Sequence, residues 1–230
     1  MKLQKETIAL KPAHGRWYDD ACGTAFGMEL LGERWTLLIL RELMFGPRRF
    51  SGLKAELPGI SAKILTERLA GMEASGILRR VTLSEPAPAN LYELTPWGRA
   101  AEVIVQEVGR WAAASPLHDP TLPLSAAAFM MSLRTMLDRQ AAKGLALTAG
   151  FAIGSARFTA RLVHSELEVT RGLPDDADLD FEASTAPQLA AVFYGDASPE
   201  AAGVKLGGAP QDLRRFEGLF HLPPKVTMPV

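Results

Sequence analysis

Apolar positions recur at helical spacing through the first half of the chain. Cys22, Phe26 and Leu30 stand four residues apart and predict a helix with one apolar face, capped by Asp19 or Asp20. A second helix is expected near Trp35–Met44, with Ile39, Leu40, Leu43 and Met44 inward, ended by Gly46-Pro47. Ser51 is the expected cap of a short helix to Leu57, with Phe50, Leu53 and Leu57 as its apolar contacts. Pro58-Gly59-Ile60 then makes a tight turn. Ser61 caps a helix near Ala62–Ser75 with Leu65, Leu69 and Met72 inward, and Gly76 stops it. Two short helices joined by a Gly-containing turn read as a helix-turn-helix. The period then switches to two. Ile77–Leu83 and Leu91–Leu94 predict a hairpin whose loop, Ser84–Asn90, is too proline-rich to pair. That makes a wing centred on Pro86–Asn90. Thr95-Pro96 starts a further helix, along which Trp97, Ala101, Ile104, Val108 and Trp111 form an apolar seam suited to another helix or a partner subunit.

Prolines at 116, 120 and 123 interrupt the pattern and predict a linker over 115–123, between a domain at 1–114 and another at 124–230. A helix over Ser125–Lys143 is expected to turn Phe129, Met130, Leu133, Met136 and Leu137 inward. Four alternating runs follow, around Leu145–Ile153, Phe158–Leu162, Leu167–Val169 and Leu179–Phe181. Gly207-Gly208 reads as a turn. Helices near Pro187–Tyr194 and Gln211–Phe220 complete an α+β domain, a largely antiparallel sheet covered by helices. The fold class is therefore α+β overall, a winged helix-turn-helix followed by a sheet domain.

The net charge of −1 conceals a local excess. Between Arg48 and Arg80 stand seven basic residues against Glu56, Glu67 and Glu73, a balance of +4. A basic patch on one face, not a basic protein, is what phosphate binding requires. Arg48, Arg49, Ser61, Lys63, Thr66, Arg68, Arg79, Arg80 and Asn90 are the candidate DNA contacts. The helix after Ser61 turns Ala62, Lys63, Thr66, Glu67 and Ala70 outward. Small and polar residues there permit close approach to a major groove about 12 Å wide.

Four strings carry a family resemblance: Leu31-Gly32-Glu33-Arg34-Trp35-Thr36-Leu37-Leu38-Ile39-Leu40-Arg41-Glu42-Leu43, Gly46-Pro47-Arg48-Arg49-Phe50, Ile60-Ser61-Ala62-Lys63-Ile64-Leu65-Thr66-Glu67-Arg68-Leu69, and Leu91-Tyr92-Glu93-Leu94-Thr95-Pro96-Trp97-Gly98. In order and spacing, over about Tyr18 to Ala113, the chain resembles the HxlR family of winged-helix regulators, related to the MarR type. The resemblance implies a homodimer built from the first and last helices of this region. It also implies insertion of the Ser61–Ser75 helix into double-stranded DNA, with Lys63, Thr66 and Arg68 as contacts. Arg68 lies between the groove face and the core, a position that also suits holding the fold. Many members carry a cysteine where Cys22 stands, in some as a redox sensor, though Gly23 replaces the proline that often follows. From about Leu124 to Pro224 the element order resembles the sterol carrier protein-like (SCP2-like) fold. That implies an apolar cavity for a small-molecule effector, lined by Met130, Leu133, Phe151, Phe158, Phe181, Phe193 and Phe216, residues that equally suit an ordinary core.

No nucleophile elbow, phosphate loop or metal-ligand spacing is present, so no enzyme, cofactor or metal is expected. No apolar run reaches membrane-spanning length, and the N-terminus lacks a signal-peptide core; a cytoplasmic protein is expected. The competing reading is an apolar-ligand carrier whose winged helix serves protein contacts.

Overall fold

The structure, a computed structural model, describes residues 18–83 and 89–227. The expected wing tip at Pro86 and the N-terminal stretch lie outside the described residues. The chain divides into two compact units. One comprises the chain through Leu40 together with Pro47–Arg99, and the other Arg41–Gly46 together with Ala100 onward. The proline-rich 115–123 stretch is exposed and lacks regular structure, but lies inside the second unit rather than between the two.

The first unit holds helices α1 (Gly23–Leu31), the start of α2 (Thr36–Leu43), α3 (Phe50–Glu56) and α4 (Ala62–Ala74). Its strands are β1 (Arg48–Arg49), β2 (Leu78–Leu83) and β3 (Ala89–Leu94), and α5 (Pro96–Ala100) closes it. Helix α1 starts later than expected. Asp20 is spent on a turn, its Oδ1 accepting the Cys22 N–H at 2.9 Å, and Cys22 takes the N-cap position. The expected apolar face is not buried: no α1 residue is buried, and Cys22 is exposed. Helix α3 also begins early, at Phe50 after an Arg49 cap rather than at Ser51. Ser61 caps α4 as expected, its Oγ accepting from the Ile64 N–H at 3.1 Å. Leu53, Leu57, Ile60, Leu65, Leu69 and Met72 are all essentially inaccessible and form the core beneath the two helices. Gly59 turns the chain at φ +89°, a conformation glycine adopts without a side-chain clash.

The wing sheet has the order β1-β3-β2 and is antiparallel throughout. Strand β1 was not legible, because two arginines after Gly46-Pro47 carry no alternation. It pairs Arg48 with Tyr92 and Arg49 with Leu91. Ala89 and Asn90, expected in the loop, belong to β3. The sheet's end is sealed by Thr95, which donates through Oγ1 to the Gly76 carbonyl at 2.7 Å and accepts the Gly98 N–H at 3.1 Å. Gly98 lies so close to the Ile77 carbonyl that any side chain would strike it.

The second unit holds α6 (Glu102–Ala113), α7 (Ala126–Met136), β4 (Leu147–Ile153), β5 (Ala156–Val163), β6 (Glu166–Arg171) and β7 (Leu179–Ala183). It continues with α8 (Ala186–Tyr194), α9 (Pro199–Ala202), β8 (Lys205–Gly208) and α10 (Pro210–Glu217). The five-stranded sheet runs β6-β5-β4-β7-β8, antiparallel except for the parallel β4–β7 pair. Gly207-Gly208 is thus strand rather than turn. These residues pair with Asp180 and Leu179 of β7. Helix α7 stops well short of Lys143, since Leu137 becomes extended and bridges Phe220.

Alternation along the strands puts Phe151, Phe158, Phe181 and their same-face neighbours on the buried side. Phe129, Phe151, Phe181, Phe193, Phe216 and Phe220 pack ring on ring, with centroid separations from 4.8 Å (Phe151–Phe181) to 6.5 Å (Phe151–Phe216). Such pairs add about 0.5–1.5 kcal/mol each beyond area burial. Phe158 meets Phe45 edge-on at 5.8 Å and lies under the Arg171 guanidinium at 4.9 Å. Phe45, just past α2, is therefore part of this core. Ser132 donates to the Phe129 carbonyl at 2.7 Å, which leaves the buried Tyr194 hydroxyl to donate to Ser132 Oγ at 2.9 Å. Burial pushes that phenol well above its ordinary pKa.

Candidate nucleic-acid interface

The outward face of α4 is open. Ala62, Lys63, Thr66, Glu67 and Ala70 are exposed, and the Lys63 side chain is 84% accessible. Ser61, at the helix start, spends its hydroxyl on the cap, and Thr66 donates back to the Ala62 carbonyl at 2.9 Å. Lys63 stands 3.9 Å from Glu67, a surface pair worth at most about 1 kcal/mol.

Arg68 departs from this face. Its Nη2 donates to Glu33 Oε2 at 2.7 Å and its Nε to the Arg34 carbonyl at 3.2 Å, with the side chain only 16% exposed. It fastens α4 to the segment before α2. In that segment Trp35 has φ +83°, an uncommon conformation for an aromatic residue. Arg34 lies over its ring at 5.4 Å, and the ring tip faces Gly59 of the helix-turn-helix turn.

The arginines around the wing are drawn into ion pairs. Arg79 forks onto Glu93 Oε2 at 3.0 and 2.8 Å, and Arg99 reaches the other oxygen at 3.2 Å. Donation from Arg79, reinforced by Arg99 and opposed by partial burial, holds the Glu93 carboxyl below the usual carboxylate range. Arg80 pairs with Glu73 at 3.0 Å and lies over Tyr92 at 5.6 Å. Arg48 is mostly covered, 3.9 Å from Glu56. Arg49 is exposed and forms no ion pair among the described residues. Asn90 is exposed, its Oδ1 accepting from Thr82 Oγ1 at 3.2 Å. The local +4 is thus offset by Glu33 and Glu93, acids outside the stretch over which it was counted, which only folding brings near. The wing arginines and Arg49 lie with the α4 face in the first unit; the seven apolar residues lie buried in the second.

Cys22 is exposed at the N-cap position of α1, where the nearby Thr24 and Ala25 amides lower its pKa below the ordinary thiol value. Among the described residues no three His, Cys, Asp or Glu side chains are brought together as a metal site, and no helix is long and apolar enough to cross a membrane.

A helix-turn-helix with an exposed second helix, followed by a β-hairpin wing, defines a winged-helix protein of the DNA-binding class. The chain belongs to the HxlR-like helix-turn-helix family, whose model matches residues 30–118. It is 36% identical over 85 residues to the HTH-type transcriptional regulator YvaP of Bacillus subtilis, covering 37% of this chain and 79% of that protein. To the HTH-type transcriptional regulator YodB of the same organism it is 42% identical over 83 residues, covering 36% of this chain and 74% of YodB. The reduced form of YodB, a solved structure, is 37% identical with a TM-score of 0.39, covering 43% of this chain and 98% of that one. The homologues are transcriptional regulators rather than enzymes, which supports a DNA-binding regulator.

Proposed function

We propose that the protein is a sequence-specific transcriptional regulator that binds double-stranded DNA as a homodimer. The observation that carries this reading is the open outer face of α4, with Lys63 and Thr66 free of the core in a segment that matches regulators by sequence. Two such helices would read half-sites about 34 Å apart. Support for the dimer comes from apolar surface a monomer leaves wet. Ile104, Val108 and Trp111 of α6 are 43%, 46% and 80% exposed at seam spacing, and no residue of α1 is fully buried. Mobility shift with the protein's own promoter region tests it. Nanomolar binding that weakens steeply with salt and prefers one sequence is the expected result, and equal affinity for any duplex overturns it.

The second unit is the candidate seat of an effector, and the resemblance of the sequence over 124–224 to the sterol carrier protein-like fold suggests an apolar one. The ring packing constrains this. Phe151, Phe181, Phe193 and Phe216 fill one another's surroundings, so a ligand held there must displace rings. Native mass spectrometry of the purified protein tests it: a co-purified apolar molecule is expected, and bare protein under gentle conditions counts against it. Cys22 is the second candidate input, supported by its exposure and its lowered pKa. Unchanged operator binding after alkylation of Cys22 removes it from that role.

A further inference from the structure

Helix α6 lies within the family match at 30–118, yet it is compact with the C-terminal unit. Both of its ends are held by residues far along the chain. In its first turn, Glu102 Oε1 accepts from Arg134 Nη1 of α7 at 2.9 Å and from Gln106 Nε2 at 3.0 Å. The Arg134–Glu102 pair is largely sheltered, with side chains 27% and 22% exposed. At its last turn, Lys225 Nζ donates to the carbonyls of Ala113 and Ser115, both at 2.9 Å, and the Val226 N–H donates to the Ala114 carbonyl at 2.8 Å. The last carbonyls of a helix have no intrahelical partner and carry the negative end of its dipole, so an ammonium and an amide there both satisfy and stabilise them. Between these two clamps lies the exposed stripe of Ile104, Val108 and Trp111. Helix α7 also holds the end of α2. Its N-cap Ser125 donates to Glu42 Oε1 at 2.6 Å, and Glu42 is 1% exposed.

We propose that Arg134 and Lys225 are positioning residues for the dimer helix, so that the C-terminal unit controls self-association by holding α6 at both ends. This rests on the reading of α6 as the dimer helix. Neither residue touches the partner in this scheme. They act by keeping the ends of α6 from fraying and its stripe in one orientation. Anything that moves α7 or the tail would then reach DNA affinity through the dimer equilibrium.

The test measures the dimer dissociation constant of the full chain by sedimentation equilibrium, with amide exchange read in α6. Lys225→Met and Arg134→Glu are expected to weaken the dimer about tenfold, of the order of one lost charge-assisted hydrogen-bond pair. Exchange should quicken at the corresponding end of α6 only. Lys225→Arg, and the charge swap Glu102→Arg with Arg134→Glu, are expected to restore most of the affinity. A wild-type dimer whose constant Lys225→Met leaves within about twofold overturns the proposal while sparing the dimer reading. A wild type that stays monomeric at all concentrations overturns both.

Discussion

Arg68 and Glu33 meet at 2.7 Å, joining the middle of α4 to the segment that precedes α2. With the second bond to the Arg34 carbonyl, Nε and Nη2 of Arg68 are both used inside the fold. Arg68→Ala should therefore lower stability by roughly 1–2 kcal/mol and weaken DNA binding without changing its salt dependence. A loss of about one in the salt slope would instead assign Arg68 to a phosphate.

Lys63 predicts the opposite signature. Its side chain is exposed and its pairing with Glu67 is long. Lys63→Ala should leave the thermal midpoint unchanged, weaken binding to all duplexes and reduce the salt slope by about one. Salt-titrated mobility shifts read this directly, and an unaltered slope would place α4 off the DNA.

The ring cluster predicts a large packing loss. Phe151 stacks on Phe181 at 4.8 Å and is inaccessible. Phe151→Ala should cost about 3–5 kcal/mol in urea unfolding. A cost under about 1 kcal/mol would mean that these rings border open space rather than one another.

Acid sensitivity follows from Glu93. Its carboxyl is held below the usual range chiefly by Arg79, so its stabilisation is present above the unfolded carboxylate pKa and lost as pH falls through the lower folded value. Glu93→Gln should flatten the acid limb of the stability curve. Glu102 works in the reverse sense. Burial raises its pKa against the pull of Arg134, so its relative contribution is greatest in acid and is lost as pH rises through the raised folded value. Unfolding midpoints from about pH 3 to 7 for both glutamine variants separate the two.

Cys22 should alkylate with a pH inflection below the roughly 8.5 of an unperturbed thiol, because Thr24 and Ala25 amides favour the thiolate. A stopped-flow rate profile with iodoacetamide checks it, and an inflection at the ordinary value would show that the amides do not hold the sulfur in solution.

Periodicity revealed most of the elements because their apolar residues serve local faces. Leu65, Leu69 and Met72 are buried as their spacing requires, and the strand alternation is clean about Phe181, whereas Gly150 and Thr159 are buried beside Phe151 and Phe158. Short or polar elements escaped. Strand β1 is two arginines, β8 is half glycine, and α9 is a single turn opened by Ser198 and Pro199. The end of α7 is not legible in the sequence, because Leu137 turns extended to bridge Phe220, distant along the chain.

By itself the sequence determined the helix-turn-helix, the Ser61 cap of α4 and the outward residues of that helix, since capping and amphipathicity act over a few residues. Tertiary structure alone decided which charges remain available to a ligand. Arg68, Arg79, Arg80 and Arg48 find carboxylates contributed by other elements, and Coulomb pairing depends on distance in space, not along the chain. It also decided that α6, contiguous with the winged helix in sequence, is held by Arg134 and Lys225 of the C-terminal unit. The ends of a helix need partners its own turns cannot supply.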